Sequence, residues 1–230
     1  MWQTPVLVVL GAESTGKSTL MERLIMMNMF PRAKKICTRV PILVRLRNAE
    51  KAQAPTLAVQ NVSSKAIERG PTTIPMQGGE LDVREAMQEI LEQENKLAAG
   101  VASERIIIIE AKGPRLPCLD LVDMPGVVQF PPDLKDQTVA LIERHVATHG
   151  AYSMYLAISP AAENPRNSSI LSLVEKHKLQ PKTLGVFTKC DKLVLEDDAE
   201  IFKARLQFPP PSDSDGVSLS PHGWVATMSR

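Results

Sequence analysis

Cysteine is scarce in this chain. The 230 residues hold three, Cys37, Cys118 and Cys190, widely spaced. That supplies neither a disulfide framework nor a zinc-ligand pattern, and it points to a reducing compartment. An excess of either charge is also missing: 27 basic against 26 acidic residues leave a net charge of +1, so nothing electrostatic argues for nucleic acid as a partner. No apolar run approaches the ~20 residues that cross a bilayer. The amino terminus, MWQTPVLVVL, lacks the basic segment and cleavage site of a secretory leader. These absences leave a cytoplasmic chain, peripheral on a membrane only through parts that this sequence does not include. What is plentiful is apolar: 43% hydrophobic residues support a real core, and the length suits one large α/β domain or two small ones.

Residues 6–10, VLVVL, read as a buried strand that stops at Gly11. Gly11-Ala12-Glu13-Ser14-Thr15-Gly16-Lys17-Ser18 then fits the phosphate-binding pattern G-x-x-x-x-G-K-S/T. Its glycines let backbone amides curl round an anion, and the following helix aims its unsatisfied N–H groups at the same place. Lys17 is placed to reach the β- and γ-phosphates, and Ser18 to put a hydroxyl on Mg²⁺.

The rest alternates strand and helix. Helices are expected over 17–29, 81–98, 133–149 (with Asp133 as N-cap), 165–178 and 197–207. Strands are expected over 40–47, 56–62, 105–112, 118–122, 151–158, 183–188 and 223–227. Pro41 cannot donate to a ladder, which places 40–47 at a sheet edge with 56–62 as its partner. Gly70-Pro71, Pro75 and Gly78-Gly79 make 63–80 a loop. Residues 208–221, FPPPSDSDGVSLSP, have the composition of a flexible insertion. The alternation predicts an α/β fold, a mostly parallel sheet with helices on both faces, whose ligand sits beyond the carboxyl ends of the strands.

Two further motifs fall at such ends. Asp123-Met124-Pro125-Gly126 follows a strand that in a P-loop fold lies beside the first, so Asp123 is a candidate to hold Mg²⁺ and the Gly126 N–H to meet the γ-phosphate. Thr188-Lys189-Cys190-Asp191 supplies a base reader. Asp191 can accept from guanine N1–H and the 2-amino group, whereas adenine presents an acceptor there and leaves the carboxylate unpaired. The Lys189 stem can lie over the purine face. His145 and His149 share the i, i+4 spacing of a metal pair, but no third ligand is apparent in the sequence, and a solvated or capping role is expected.

Over essentially its whole length the chain resembles the dynamin superfamily of large GTPases. GAESTGKST is similar to their G-x-x-S-x-G-K-S-S/T loop, PRAKKICTRVP to their first switch with its T-R-x-P core, and LVDMPG to their L-V-D-L-P-G. YLAISPAAENPRNSS resembles their L-A-V-S-P-A-N stretch, LGVFTKCDKL their G-V-x-T-K-x-D, and GWVATMSR the strand ending in N-R-S. The resemblance implies a P-loop GTPase that binds and hydrolyses GTP with Mg²⁺ held by Ser18, Thr38 and Asp123. It implies nucleotide contacts from Gly11 through Thr19 and from Gly126, Thr188, Lys189, Asp191, Ser229 and Arg230, and catalytic roles for Glu13, Ser14, Lys17 and Thr38. It further implies a monovalent cation, K⁺ or Na⁺, near Ser14, self-association across the nucleotide face, and a part in membrane remodelling.

The departures from that pattern bear on turnover. The residue after D-x-P-G, where small GTPases carry a water-positioning glutamine, is Val127; the dynamin-like solution puts a glutamine where this chain has Glu13. Either Glu13 orients the water or it points away and hydrolysis is slow. Ala33, Lys34 and Lys35 stand where switch glycines help bind the cation; a lysine ammonium standing in for the cation competes with two solvated lysines. Both flanks are short beside the family's, so residues 1–230 read as a GTPase domain truncated at both ends. A nucleotide-dependent scaffold with little turnover is the alternative function. An ATPase or nucleotide kinase is a third, against which Thr188-Lys189-Cys190-Asp191 argues.

Overall fold

Partners alternate along β1 (Val6–Gly11): Val9 belongs to one apolar core, Val8 and Leu10 to another. That is the two-residue period of a strand buried on both faces. The computed structural model describes residues 4–31, 39–75, 83–97, 100–101, 104–128, 130–193, 196–209 and 217–227. On the first face α1 (Lys17–Ile25) and α2 (Arg84–Leu97) bury Met21, Ile25, Met87, Ile90 and Leu91. On the other, α3 (Pro132–His149) and α4 (Ser169–Lys176) bury Ile142, Ile170, Leu171 and Val174, and α5 (Glu196–Leu206) adds Phe202 and Leu206 at the edge of that core.

The sheet also contains β2 (Ile42–Asn48), β3 (Gln53–Asn61), β4 (Ile67–Thr73), β5 (Arg105–Gly113), β6 (Leu119–Asp123), β7 (Ser153–Pro160), β8 (Thr183–Thr188) and β9 (Trp224–Ala226). Its order is β4-β3-β5-β2-β6-β1-β7-β8-β9. From β6 to β9 every pairing is parallel. β2 also runs parallel to β5, while β2–β6, β3–β4 and β3–β5 are antiparallel. The mostly parallel sheet with helices on both faces is therefore as expected. Its register puts Val9 opposite Asp123, Gly11 opposite Ile158, and Pro160 opposite Thr188. Asp123, Gly11 and Thr188 thus finish at one edge of the sheet.

Several local expectations are corrected. β2 lies inside the sheet, between β5 and β6, and not at its edge. Pro41 stands one residue before β2 and only accepts, from Ile107 N–H at 3.0 Å, so its missing donor is not needed. β3 pairs with β5 and β4, not with β2. Within the expected loop 63–80, residues 67–73 form the exposed edge strand β4. Gly70, at φ 81°, sits where a Cβ would come within 2.6 Å of Leu57 O, beside register shifts at Leu57/Val59 and Val59/Gln60. Gly-Pro here marks an irregular edge strand rather than a turn.

Helix α1 stops four residues early. Met26 turns left-handed (φ 52°), and the Glu22 carboxylate accepts from Met29 N–H (2.7 Å) and Phe30 N–H (2.8 Å), drawing the chain away from the helix axis. Pro131, not Asp133, is the N-cap of α3, and Asp133 lies in its first turn. The helix expected over 165–178 divides into a 3₁₀ turn, Pro165–Asn167, and α4. Within 208–221, Leu219 is fully buried and Val217 O accepts from Trp224 Nε1–H at 2.7 Å.

Candidate nucleotide-binding site

The loop from Gly11 to Ser18 links β1 to α1. Two residues take left-handed backbone, Ser14 (φ 60°) and the helix N-cap Gly16 (φ 95°). Gly16 can do so without strain. At Gly11 a Cβ would lie 2.7 Å from Thr15 Oγ1, and Thr15 Oγ1 itself donates to Ala12 O at 2.9 Å. Lys17 is buried, and its Nζ donates to Ala12 O (2.9 Å) and Gly11 O (3.3 Å). The cation therefore lies inside the curl of the loop, where an anion is received. Ser18 follows in the first turn, half-buried; Glu13, Ser14 and Thr19 are exposed.

Backbone hydrogen bonds tie the segment after β6 to this loop. Glu13 N–H donates to Val127 O and Val127 N–H to Gly11 O, each at 3.2 Å, and Ala12 and Val127 form a parallel bridge. Gly126 is the reason they can approach: a Cβ there would meet Glu13 Cα and Lys17 Nζ at 2.9 Å. Val127 itself is 1% exposed and packs in the second core. Its side chain is thus spent on packing.

Asp123 is the anomaly of the site. It is 1% exposed, and neither carboxylate oxygen finds a hydrogen-bond partner. Burial pushes its carboxyl up to about 6, against the opposing pull of the Lys17 ammonium. A buried, unpartnered carboxylate is costly unless a cation completes it. Its hard oxygens, and the hydroxyl of Ser18 at the start of α1, are the donor chemistry that Mg²⁺ takes. The residues present fit that ion. Among the described residues no group of three or more His, Cys, Asp and Glu forms a separate metal cluster.

Thr188-Lys189-Cys190-Asp191 is brought to the same loop. Thr188 is buried and its hydroxyl donates to Thr15 O at 2.5 Å. Lys189, left-handed at φ 56°, donates from Nζ to Ser14 O at 2.5 Å. Asp191 is exposed in a 3₁₀ turn, Cys190–Lys192. Half-buried Cys190 rests against Phe187 O at 3.6 Å, and burial pushes its thiol up. Thr227, just beyond β9, donates twice to Phe187 O. Thr38, Ser229 and Arg230, like Ala33, Lys34 and Lys35, lie outside the described residues.

Comparison with known proteins adds a decisive observation. A family model described as the dynamin family matches residues 7–190. The chain belongs to the dynamin family. The match spans the phosphate loop, the buried Asp123 and the start of the T-K-C-D turn. The chain is 29% identical over 223 residues to dynamin-related protein DNM1 of Saccharomyces cerevisiae, an alignment covering 81% of this chain and 29% of that protein. Against dynamin-A of Dictyostelium discoideum the identity is 26% over 212 residues, covering 88% and 24%. Against the dynamin-1-like protein of Mus musculus it is 27% over 208 residues, covering 86% and 28%. The chain thus spans less than a third of the length of these relatives.

Three features of this dynamin-type site were not legible in sequence. The Thr188–Thr15 bond joins residues with no shared motif. Gly185 makes room for Trp224, whose ring a Cβ would meet at 2.2 Å, and Trp224 stacks on Phe187 at 4.3 Å. Arg205, on α5, is buried against the carbonyls of Ala161 and Glu163. No spacing rule marks any of them. Away from the site, the His145 and His149 rings stack at 4.9 Å, and His145 Nε2 is sealed from solvent without a partner. Burial, with the charge of His149, lowers the His145 pKa to about 4, so this histidine is packed as a neutral ring rather than solvated. No helix among the described residues is long and apolar enough to cross a membrane.

Proposed function

We propose that the chain binds GTP with Mg²⁺ and hydrolyses it to GDP, as the nucleotide-driven part of a longer protein that self-associates through its nucleotide face and acts peripherally in membrane remodelling. One observation carries the reading: Lys17, the unpartnered Asp123 and the T-K-C-D turn converge on one loop, with Thr188 and Lys189 bonded to its carbonyls. Phosphates are received by the loop amides and the Lys17 ammonium, and Gly126 N–H serves the γ-phosphate. Ser18, Asp123 and Thr38 are the residues that would hold Mg²⁺, which when bound neutralises charge developing on the phosphates. Asp191 reads N1–H and the 2-amino group of guanine, while Ser229 and Arg230 border the base. A K⁺ or Na⁺ ion near Ser14 belongs to the same reading, and alkali-metal dependence of turnover tests it.

Water must be held in line with the phosphate that leaves. Val127 is buried and cannot hold it, so the task falls to Glu13, exposed at the loop and bonded through its main chain to Val127 O. Single-turnover hydrolysis of GTP by the wild type and by Glu13→Ala tests this, with ATP as the competing nucleotide. A large loss of rate with unchanged GTP affinity is expected. Full rate in Glu13→Ala would remove Glu13 from the chemistry, and equal competition by ATP would remove guanine specificity. A second reading, a nucleotide-dependent scaffold with little turnover, is favoured by the carboxylate at Glu13, which repels the γ-phosphate. In that case the wild type binds GTP and stays near the uncatalysed rate, even at concentrations where it self-associates.

A further inference from the structure

The base-binding turn is braced from one helix. Arg205 on α5 is 8% exposed. Its Nη1 donates to Ala161 O at 2.8 Å and to Glu163 O at 3.1 Å, both just beyond the end of β7. Ala161 N–H donates in turn to Thr188 O at 2.8 Å, and the Thr188 hydroxyl donates to Thr15 O. One turn earlier on α5, Phe202 meets the ring of Phe187 edge-on, with centroids 5.2 Å apart, and Phe187 is the residue directly before Thr188. A single helix therefore holds the start of the T-K-C-D turn from two sides.

We propose that Arg205 is a positioning residue for base recognition. It fixes the 161–163 turn, through that turn Thr188, and so the place from which Asp191, three residues on, meets the base. This rests on the guanine-nucleotide reading above. Both bonds come from Nη1, and the planar, rigid guanidinium holds that nitrogen against the two carbonyls, whereas a lysine ammonium rides on a flexible stem. A buried guanidinium also needs those acceptors, so group and turn order each other. Two hydrogen bonds accepted by one carboxylate from a base edge demand close placement, and a loosened turn loses the second bond first.

The test compares GDP with IDP, whose base lacks the 2-amino group, in equilibrium binding to the wild type, Arg205→Ala and Arg205→Lys, with the folded fraction of each set by circular dichroism. The wild type prefers GDP. In Arg205→Ala, GDP affinity falls about tenfold, as expected for losing a charge-assisted hydrogen bond, and IDP affinity falls less, so the preference shrinks. Arg205→Lys, which keeps the charge on a flexible stem, recovers only part of it. A merely structural role lowers both affinities by the same factor, so an unchanged GDP-to-IDP ratio in Arg205→Ala overturns the proposal. If that variant does not fold, Arg205→Gln carries the same comparison, and an unchanged ratio there overturns the proposal. A wild type with no preference for GDP over ADP would instead sink the guanine reading, and the brace with it.

Discussion

The Thr188 hydroxyl donates to the main-chain carbonyl of Thr15 at 2.5 Å, although 173 residues separate them in the chain. The loop between β1 and α1 and the turn after β8 are thereby joined directly. On the proposed reading, a nucleotide held by its phosphates at the first and by its base at the second meets two anchors that are already bonded to each other.

Thr188→Val keeps the shape and removes the donor, leaving Thr15 O buried without that bond. A loss of about 1–2 kcal/mol in stability is expected, together with faster release of GDP. Urea denaturation and stopped-flow release of a fluorescent GDP measure the two. A variant as stable and as slow to release as the wild type would show that the bond holds nothing together.

Asp123→Asn should separate stability from function. The wild-type carboxylate is buried with neither oxygen bonded, and the Lys17 ammonium is the charge that opposes its burial. Neutralising it should raise the denaturation midpoint of that form by roughly 1–2 kcal/mol in stability. The same change should abolish the Mg²⁺ dependence of GTP binding. Destabilisation of the nucleotide-free variant would show that the Lys17 charge already compensates Asp123.

At Gly126 a Cβ would meet Glu13 Cα and Lys17 Nζ at 2.9 Å and Glu13 N at 3.0 Å. Gly126→Ala must therefore push the bridge between Ala12 and Val127 apart. We expect about 1–3 kcal/mol of lost stability and a larger proportional loss in single-turnover rate than in GDP affinity. Equal losses in rate and affinity would mean that the bridge shapes the loop without placing anything for catalysis.

His145 makes stability depend on pH. Its folded pKa is depressed to about 4 from an ordinary value of 6.5, through burial and the neighbouring charge of His149. The unfolded chain therefore binds the proton more readily, and stability falls as pH drops from 6.5 toward 4. The full effect is about 3 kcal/mol. Urea denaturation at pH 7 and pH 5 should show the decline in the wild type and a flatter dependence in His145→Gln. Identical slopes in the two proteins would mean other groups govern the acid side.

The strands and helices that carry the site were legible because their signals are short-ranged. Val6 to Leu10 is apolar throughout, and Ile106 to Ile109 likewise, and each forms a strand buried in the sheet. The errors came where a local signal has two outcomes. Pro41 excludes a central strand only if it lies within the strand, and here it stands one residue outside β2. Gly70-Pro71 reads as a turn, yet an edge strand also tolerates it, because one side of its ladder faces solvent. Glu22 ended α1 early by bonding amides seven and eight residues ahead, a contact that helix periodicity does not contain.

By itself the sequence determined the phosphate loop, since its conformation depends on neighbours within a few residues: Gly16 at a left-handed N-cap, Lys17 reaching back five and six residues to its own loop carbonyls. It also determined that a carboxylate follows one strand and a lysine–aspartate turn another. Only the tertiary structure decided that Asp123 would be sealed without a partner, that Val127 would be consumed by the core, that the Thr188 hydroxyl would meet Thr15 O, and that Arg205 would be buried against the carbonyls of Ala161 and Glu163. Those outcomes depend on burial and on contacts between residues far apart in the chain. Such contacts exist only once β1, β7 and β8 lie side by side and end together.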